Sequence, residues 1–206
     1  MNNINKVAHA LLESRSVYIQ PDPEKYYTWT SGVKSPIYCD NRQLISYPTY
    51  REEIIQKFSH YIQNNYPQIE AVAGTATAGI PWAAWIAHEL ELPMLYIRSK
   101  PKDHGTNSAI EGKVTHKQNI LIIEDLISTG KSSINAYNHA INEGLNVEAV
   151  LSIFTYDFKE AKEKFKAQDI DLYCLCTLND LLDYARDTSL LNDQQIETVI
   201  QWREQF

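Results

Sequence analysis

A chain of 206 residues, 44% of them hydrophobic, is long enough for one α/β domain with a substantial core and too short for two full ones. Its formal charge of −7 excludes nonspecific nucleic-acid binding, which needs a basic face to displace counterions, and its three cysteines (Cys39, Cys174, Cys176) form neither a disulfide framework nor a four-ligand zinc spacing. No apolar run approaches the roughly 20 residues of a membrane span, and the first residues, with Lys6, Glu13 and Arg15, lack a signal-peptide core; the expectation is a soluble, cytoplasmic protein with free thiols and no membrane partner.

In chain order, Asn3 is placed to cap a helix whose Ile4, Val7, Ala8, Leu11 and Leu12 share one face. Three β-prone pieces follow, Val17 to Ile19, Tyr26 to Trp29 and Ile37 to Cys39, punctuated by Pro21, Pro23 and the turn TSGVKSP. They read as a small antiparallel flap, so residues 1–46 form a hood distinct from the repeating unit of 47–206. Ser46 and Pro48 open a helix in which Ile54, Ile55, Phe58, Tyr61 and Ile62 recur at spacings of three and four. Strands and helices then alternate: strand 69–73, helix 80–90 with Pro81 in its first turn, strand 94–97, strand 120–123, a helix to Gly144, strand 147–156, helix 157–166, strand 170–175, and terminal helices 178–186 and 193–205. That alternation predicts a parallel sheet covered on both faces, with ligands at the strands' carboxyl ends.

Residues 99–117 break all periodicity, with four lysines, two glycines and two histidines. Such a segment inside an α/β domain is a functional lid or a disordered stretch. RSKPKDHG at its start concentrates Arg98, Lys100, Lys102 and His104 in an otherwise acidic chain. A solvated charge run is the ordinary reading of such a cluster.

ILIIEDLISTGKS, residues 120–132, is the chemical centre of the chain. A buried strand delivers Glu124 and Asp125 to its carboxyl end, and the turn Ser128-Thr129-Gly130 leads through Lys131 and Ser132 into a helix. First-turn amides without intrahelical partners, together with the helix dipole, make an anion cradle. Two carboxylates beside a phosphate cradle repel the phosphate unless they face another part of the ligand, and sugar hydroxyls are that part. Gly130-Lys131-Ser132 spells the end of a Walker A loop, but Asp125 stands where that motif needs a glycine. GTATAGIP, residues 74–81, is a second strand-to-helix turn of small residues that lets an anion approach the main chain.

The strand, acidic pair and Thr-Gly turn resemble the phosphoribosyl-pyrophosphate (PRPP) signature of the type I phosphoribosyltransferases. The resemblance implies that family's α/β parallel-sheet fold with an N-terminal hood, as a single domain over 1–206. It assigns Glu124 and Asp125 to the ribose hydroxyls, Ser128, Thr129, Gly130, Lys131 and Ser132 to the phosphate, the 74–81 loop to the pyrophosphate, and counts Leu126, Ile127, Arg98, Lys102 and His104 among the PRPP-binding residues. Arg98, Lys102 and His104 match residues of the family's flexible loop, which in relatives reaches across a homodimer; Arg98, Lys102 and Asp125 are the expected catalytic residues. YTWTSGVKSPIYCDNR and SKPKDHG are closest to the members whose acceptor is orotate, and the resemblance to those members assigns Ser128 to orotate. It also implies magnesium as cofactor, held mainly by substrate oxygens and not directly by protein side chains. Many relatives carry lysine where Thr30, Ala78 and Ser99 stand, and arginine near Tyr156, so the base pocket is less defined than the PRPP site. A purine or other pyrimidine acceptor, and a PRPP-sensing regulator without turnover, stay open.

Overall fold

The computed structural model describes residues 5–29, 31–101 and 108–206. Its centre is a six-stranded sheet built from β5 (Ala71–Thr75), β6 (Met94–Ile97), β7 (Ile110–Glu111), β8 (Asn119–Ile127), β9 (Asn146–Thr155) and β10 (Leu172–Thr177), in the order β10-β9-β8-β5-β6-β7. All neighbours are parallel except β6 and β7. Every residue of β5 is buried, and Val150 to Thr155 of β9 are buried without a break. Alternate residues point to opposite faces, so unbroken burial means that both faces are covered. α3 (Gly79–Glu89) packs on β5 and β8, and α4 (Lys131–Asn142) on β8 and β9.

From β5 the chain steps to β6 on one side, then crosses back to place β8 on the other. This reversal of direction makes a topological switch point between β5 and β8, where a crevice opens at the strands' carboxyl ends. Close approach there is set by glycine: a Cβ on Gly79 would lie 2.3 Å from the Ile123 carbonyl oxygen.

The hood consists of α1 (Lys6–Glu13), β1 (Val17–Ile19), β2 (Tyr27–Thr28), β3 (Lys34–Ser35) and β4 (Ile37–Cys39). The expected single flap is two separate antiparallel ladders, β1 with β4 and β2 with β3. Asn5 caps α1 by accepting from the Val7 and Ala8 amides at 3.0 and 3.2 Å, whereas Asn3, the expected cap, lies outside the described residues. α1 packs against α2 (Pro48–Asn65) and α6 (Leu178–Asp187), and α5 (Lys159–Ala167) and α7 (Asp193–Arg203) complete the helices named here. Val7 of α1 and Trp202 of α7 belong to the same hydrophobic core cluster as the sheet.

Two more expectations shift, and one element was not expected. The strand expected over 120–123 runs on to Ile127 and takes in the acidic pair, because β9 runs alongside as far as the Ile127–Thr155 pair and supplies partners. Residues 99–117 are not wholly irregular, since Ile110–Glu111 adds an antiparallel edge to β6. A 3-10 helix, Asn41–Ser46, joins hood to core without any periodic signal.

Candidate active site

β8, the turn after it and the start of α4 enclose a cleft of about 800 Å³. Glu124, Asp125, Leu126, Ser128, Thr129, Gly130, Lys131 and Ser132 all line it, as the sequence pattern implies. Ile127 does not: its side chain is wholly buried. Gly130 takes φ of +74° as the cap of α4, and no described side chain caps the helix. The first-turn amides therefore face the cleft uncapped, with the positive end of the helix dipole behind them. A hydrogen bond from Lys164 Nζ to the Thr129 carbonyl at 3.5 Å steadies the turn.

Glu124 is 6% exposed and accepts hydrogen bonds from Ser132 Oγ at 3.4 Å and Ser133 Oγ at 3.3 Å. Burial, then the charge of neighbouring Asp125, push its carboxyl up to about 8. Burial also raises the Asp125 carboxyl, opposed by hydrogen bonding to Glu124 and the charge of Arg42. Burial and mutual repulsion thus favour the protonated form of Glu124. Two adjacent acids in such a site are arranged to accept donors, and a vicinal diol offers two.

Sequence reasoning missed Asn135, Asn138 and Ser133. Asn135 and Asn138 line the cleft from α4, and Asn135 Nδ2 donates to the Ser99 carbonyl at 3.2 Å, tying α4 to the start of the basic segment. The polar stripe Ser132, Asn135, Asn138, at a spacing of three, was the available signal. Arg98 ends near Glu111, 3.5 Å away, and is not among the residues lining the cleft. Lys102 and His104 lie outside the described residues. Residues 74–81 do not line the cleft; Thr75 touches β8 through a bond from its hydroxyl to the Ile123 carbonyl at 3.2 Å, and the Ala76–Thr77 peptide is cis. Among the described residues, no group of three or more His, Cys, Asp or Glu could hold a metal ion, and no helix is long and apolar enough to cross a membrane.

A second cleft, of about 570 Å³, shares Leu126, Ser128 and Thr129 with the first. Its remaining walls are mostly aromatic: Trp29, Tyr38, Tyr156, Phe158 and Phe206, with Cys39 and Val33. Tyr156 stacks on Phe158 with ring centres 5.3 Å apart, and Trp29 lies 5.1 Å from Tyr156. The Trp29 indole is oriented by a bond from Nε1 to the Ile37 carbonyl at 3.1 Å. An aromatic-walled cleft beside a polar one suits a planar ring.

The phosphoribosyl transferase domain family matches residues 46–180. An orotate phosphoribosyltransferase of Malacoplasma penetrans is 45% identical over 97% of this chain and 95% of its own length, and one of Fusobacterium nucleatum is 45% identical over 98% and 97%. The chain belongs to the orotate phosphoribosyltransferase family. The solved structure of Leishmania donovani UMP synthase superposes with a TM-score of 0.82 at 27% identity; it aligns with all of this chain, which spans 43% of that longer one.

Proposed function

We propose that the protein transfers the phosphoribosyl group of PRPP to a ring nitrogen of orotate, giving orotidine 5'-monophosphate and pyrophosphate in pyrimidine biosynthesis. The observation that carries this reading is the shared wall: a polar cleft with an acid pair and an uncapped helix start opens at Leu126, Ser128 and Thr129 onto an aromatic slot. The bond from the anomeric carbon to pyrophosphate breaks at that seam, its electron pair leaving with pyrophosphate, as a carbon–nitrogen bond forms and the ring N–H proton of orotate passes to solvent. No side-chain nucleophile is required. The sugar passes through a cation-like state, which the Glu124–Asp125 pair stabilises as it fixes the ribose hydroxyls, while the amides of residues 128–132 hold the 5'-phosphate. Ser128, in both walls, touches orotate.

Magnesium would be held mainly by substrate oxygens and not by protein side chains, and bound there it would supply positive charge to offset the departing pyrophosphate. Arg98 and Lys102 share that task. Because Arg98 faces Glu111 and not the cleft of its own chain, the reading includes a homodimer in which Arg98 and Lys102 serve the partner's site. Mixing inactive Lys102→Ala with inactive Asp125→Asn then restores part of the activity, since a mixed dimer assembles one intact site; mixed dimers without activity would put these residues in their own subunit's site.

The direct test follows orotate consumption by ultraviolet absorbance with PRPP and magnesium, beside adenine, hypoxanthine and uracil. Loss of orotate that requires both PRPP and magnesium is expected. Turnover of another base only, or PRPP binding without any turnover, overturns the orotate assignment.

A further inference from the structure

β5 pairs with β8 only as far as Gly74 and Ile123, while β9 continues along the other flank to Thr155. On the side that β5 leaves, β8 has carbonyl oxygens without a strand partner, and buried carbonyls require donors. A side chain supplies one: Asn41 Nδ2 donates to the Asp125 carbonyl at 2.6 Å from 84 residues upstream.

Asn41 is 1% exposed. Its amide orientation follows from chemistry: the Asp125 carbonyl can only accept, so the NH2 faces it and Oδ1 turns to Cys39, whose thiol donates at 3.2 Å. Burial pushes that thiol well up, which keeps the proton this bond needs. Cys39 lines the aromatic cleft and Asp125 the polar one, so Asn41 bridges the two by a pair of hydrogen bonds.

We propose that Asn41 is a positioning residue for the transfer reaction: its amide fixes the peptide that carries the Asp125 carboxylate and ties that peptide to Cys39 in the acceptor's wall. The role rests on the two-cleft reading given above. Asn41 acts through Asp125, so its loss misplaces a transition-state contact without removing any wall of the acceptor slot. Misplacement on the order of 1 Å at a reacting centre can lower a rate by about 100-fold.

Asn41→Asp keeps the side chain's shape and replaces the donor with a carboxylate that repels the Asp125 carbonyl. With rates normalised to the folded fraction measured by circular dichroism, kcat falls by about 10- to 100-fold while KM for orotate stays within about twofold, the signature of an interaction made in the transition state. Unchanged kcat overturns the proposal. So does a rise in KM for orotate alone, which would place Asn41 in acceptor binding, or a deficit that disappears on normalisation. Should Asn41→Asp fail to fold, the unmutated protein, labelled with 15N and assigned, carries the test. Ribose 5-phosphate must move the Asn41 side-chain amide signals, and unmoved signals at saturation overturn the role. That arm needs no acceptor, so it still decides on Asn41 if the unmutated protein turns over no orotate and the functional reading itself fails.

Discussion

The two clefts that meet at Leu126, Ser128 and Thr129 are built in opposite ways. The polar one comes almost entirely from residues 124–138, with Ser99 added, whereas the aromatic one gathers Trp29, Tyr38, Cys39, Tyr156, Phe158 and Phe206 from distant parts of the chain. The difference follows from what each must do. Binding an anion and a diol needs oriented dipoles and acids at fixed spacing, which a strand, a turn and a helix start deliver in one stretch. Holding a flat ring needs two facing walls, and one short stretch cannot face itself.

Breaking the polar side gives the largest effect. Asp125→Asn removes one charge from a strand held by β9 and leaves the aromatic slot untouched. Turnover is expected to fall by roughly 100- to 1,000-fold, the scale of losing one electrostatic transition-state contact, with no loss in the circular-dichroism melt. A normal rate would remove Asp125 from the ribose site. Next comes the cradle. Gly130 holds φ of +74°, and a Cβ there would meet Phe165 Cε2 at 2.7 Å. Gly130→Ala should cost about 1–2 kcal/mol in a urea melt, the penalty for a left-handed side-chain residue, and raise KM for PRPP more than KM for orotate. Equal rises would mean that the turn supports both clefts alike.

Ser128→Ala sharpens the comparison at the seam itself. Because Ser128 lines both clefts, both KM values should rise, each by about fivefold, consistent with a lost hydrogen bond of ~1 kcal/mol. A rise in only one would assign Ser128 to that cleft alone.

The same contrast explains what the sequence disclosed. The apolar run 120–123, the acid pair and the Ser-Thr-Gly turn are contiguous, so their periodicity and turn chemistry alone place them together, and all but Ile127 of residues 124–132 reach the cleft. Strand Met94–Ile97 matches its apolar run to the residue. What escaped depends on tertiary partners. β8 runs on to Ile127 only because β9 lies beside it, Ile110–Glu111 is a strand only because β6 offers an edge, and Asn41 has a role only where β5 ends. Tyr156 was legible as a departure from the family's arginine but not as the stacked centre of an aromatic slot, since its neighbours Trp29 and Trp202 are far off in the chain.

The smallest expected effect separates the acid pair's contribution to chemistry from its effect on stability. Burial holds the Glu124 carboxyl up at about 8, against an ordinary value of 4.5. The folded protein therefore keeps a proton that the unfolded chain releases. Below 4.5 both states are protonated and nothing is lost; between 4.5 and about 8 each rise in pH favours the unfolded chain, and above about 8 the penalty is complete. Glu124→Gln is neutral at every pH, keeps an acceptor oxygen for Ser132 and Ser133, and escapes that penalty. Since Asp125 shares the proton, only part of the swing belongs to Glu124, and a gain on the order of 1 kcal/mol is expected at pH 9. For a chain of this size that is about 2–4 °C in melting temperature. The variant should melt with the unmutated protein at pH 4 and above it at pH 9, while its turnover falls at both. A melting difference that does not change with pH would show that the pair holds no proton in the folded state, and that the charge facing the ribose is fully developed before substrate arrives.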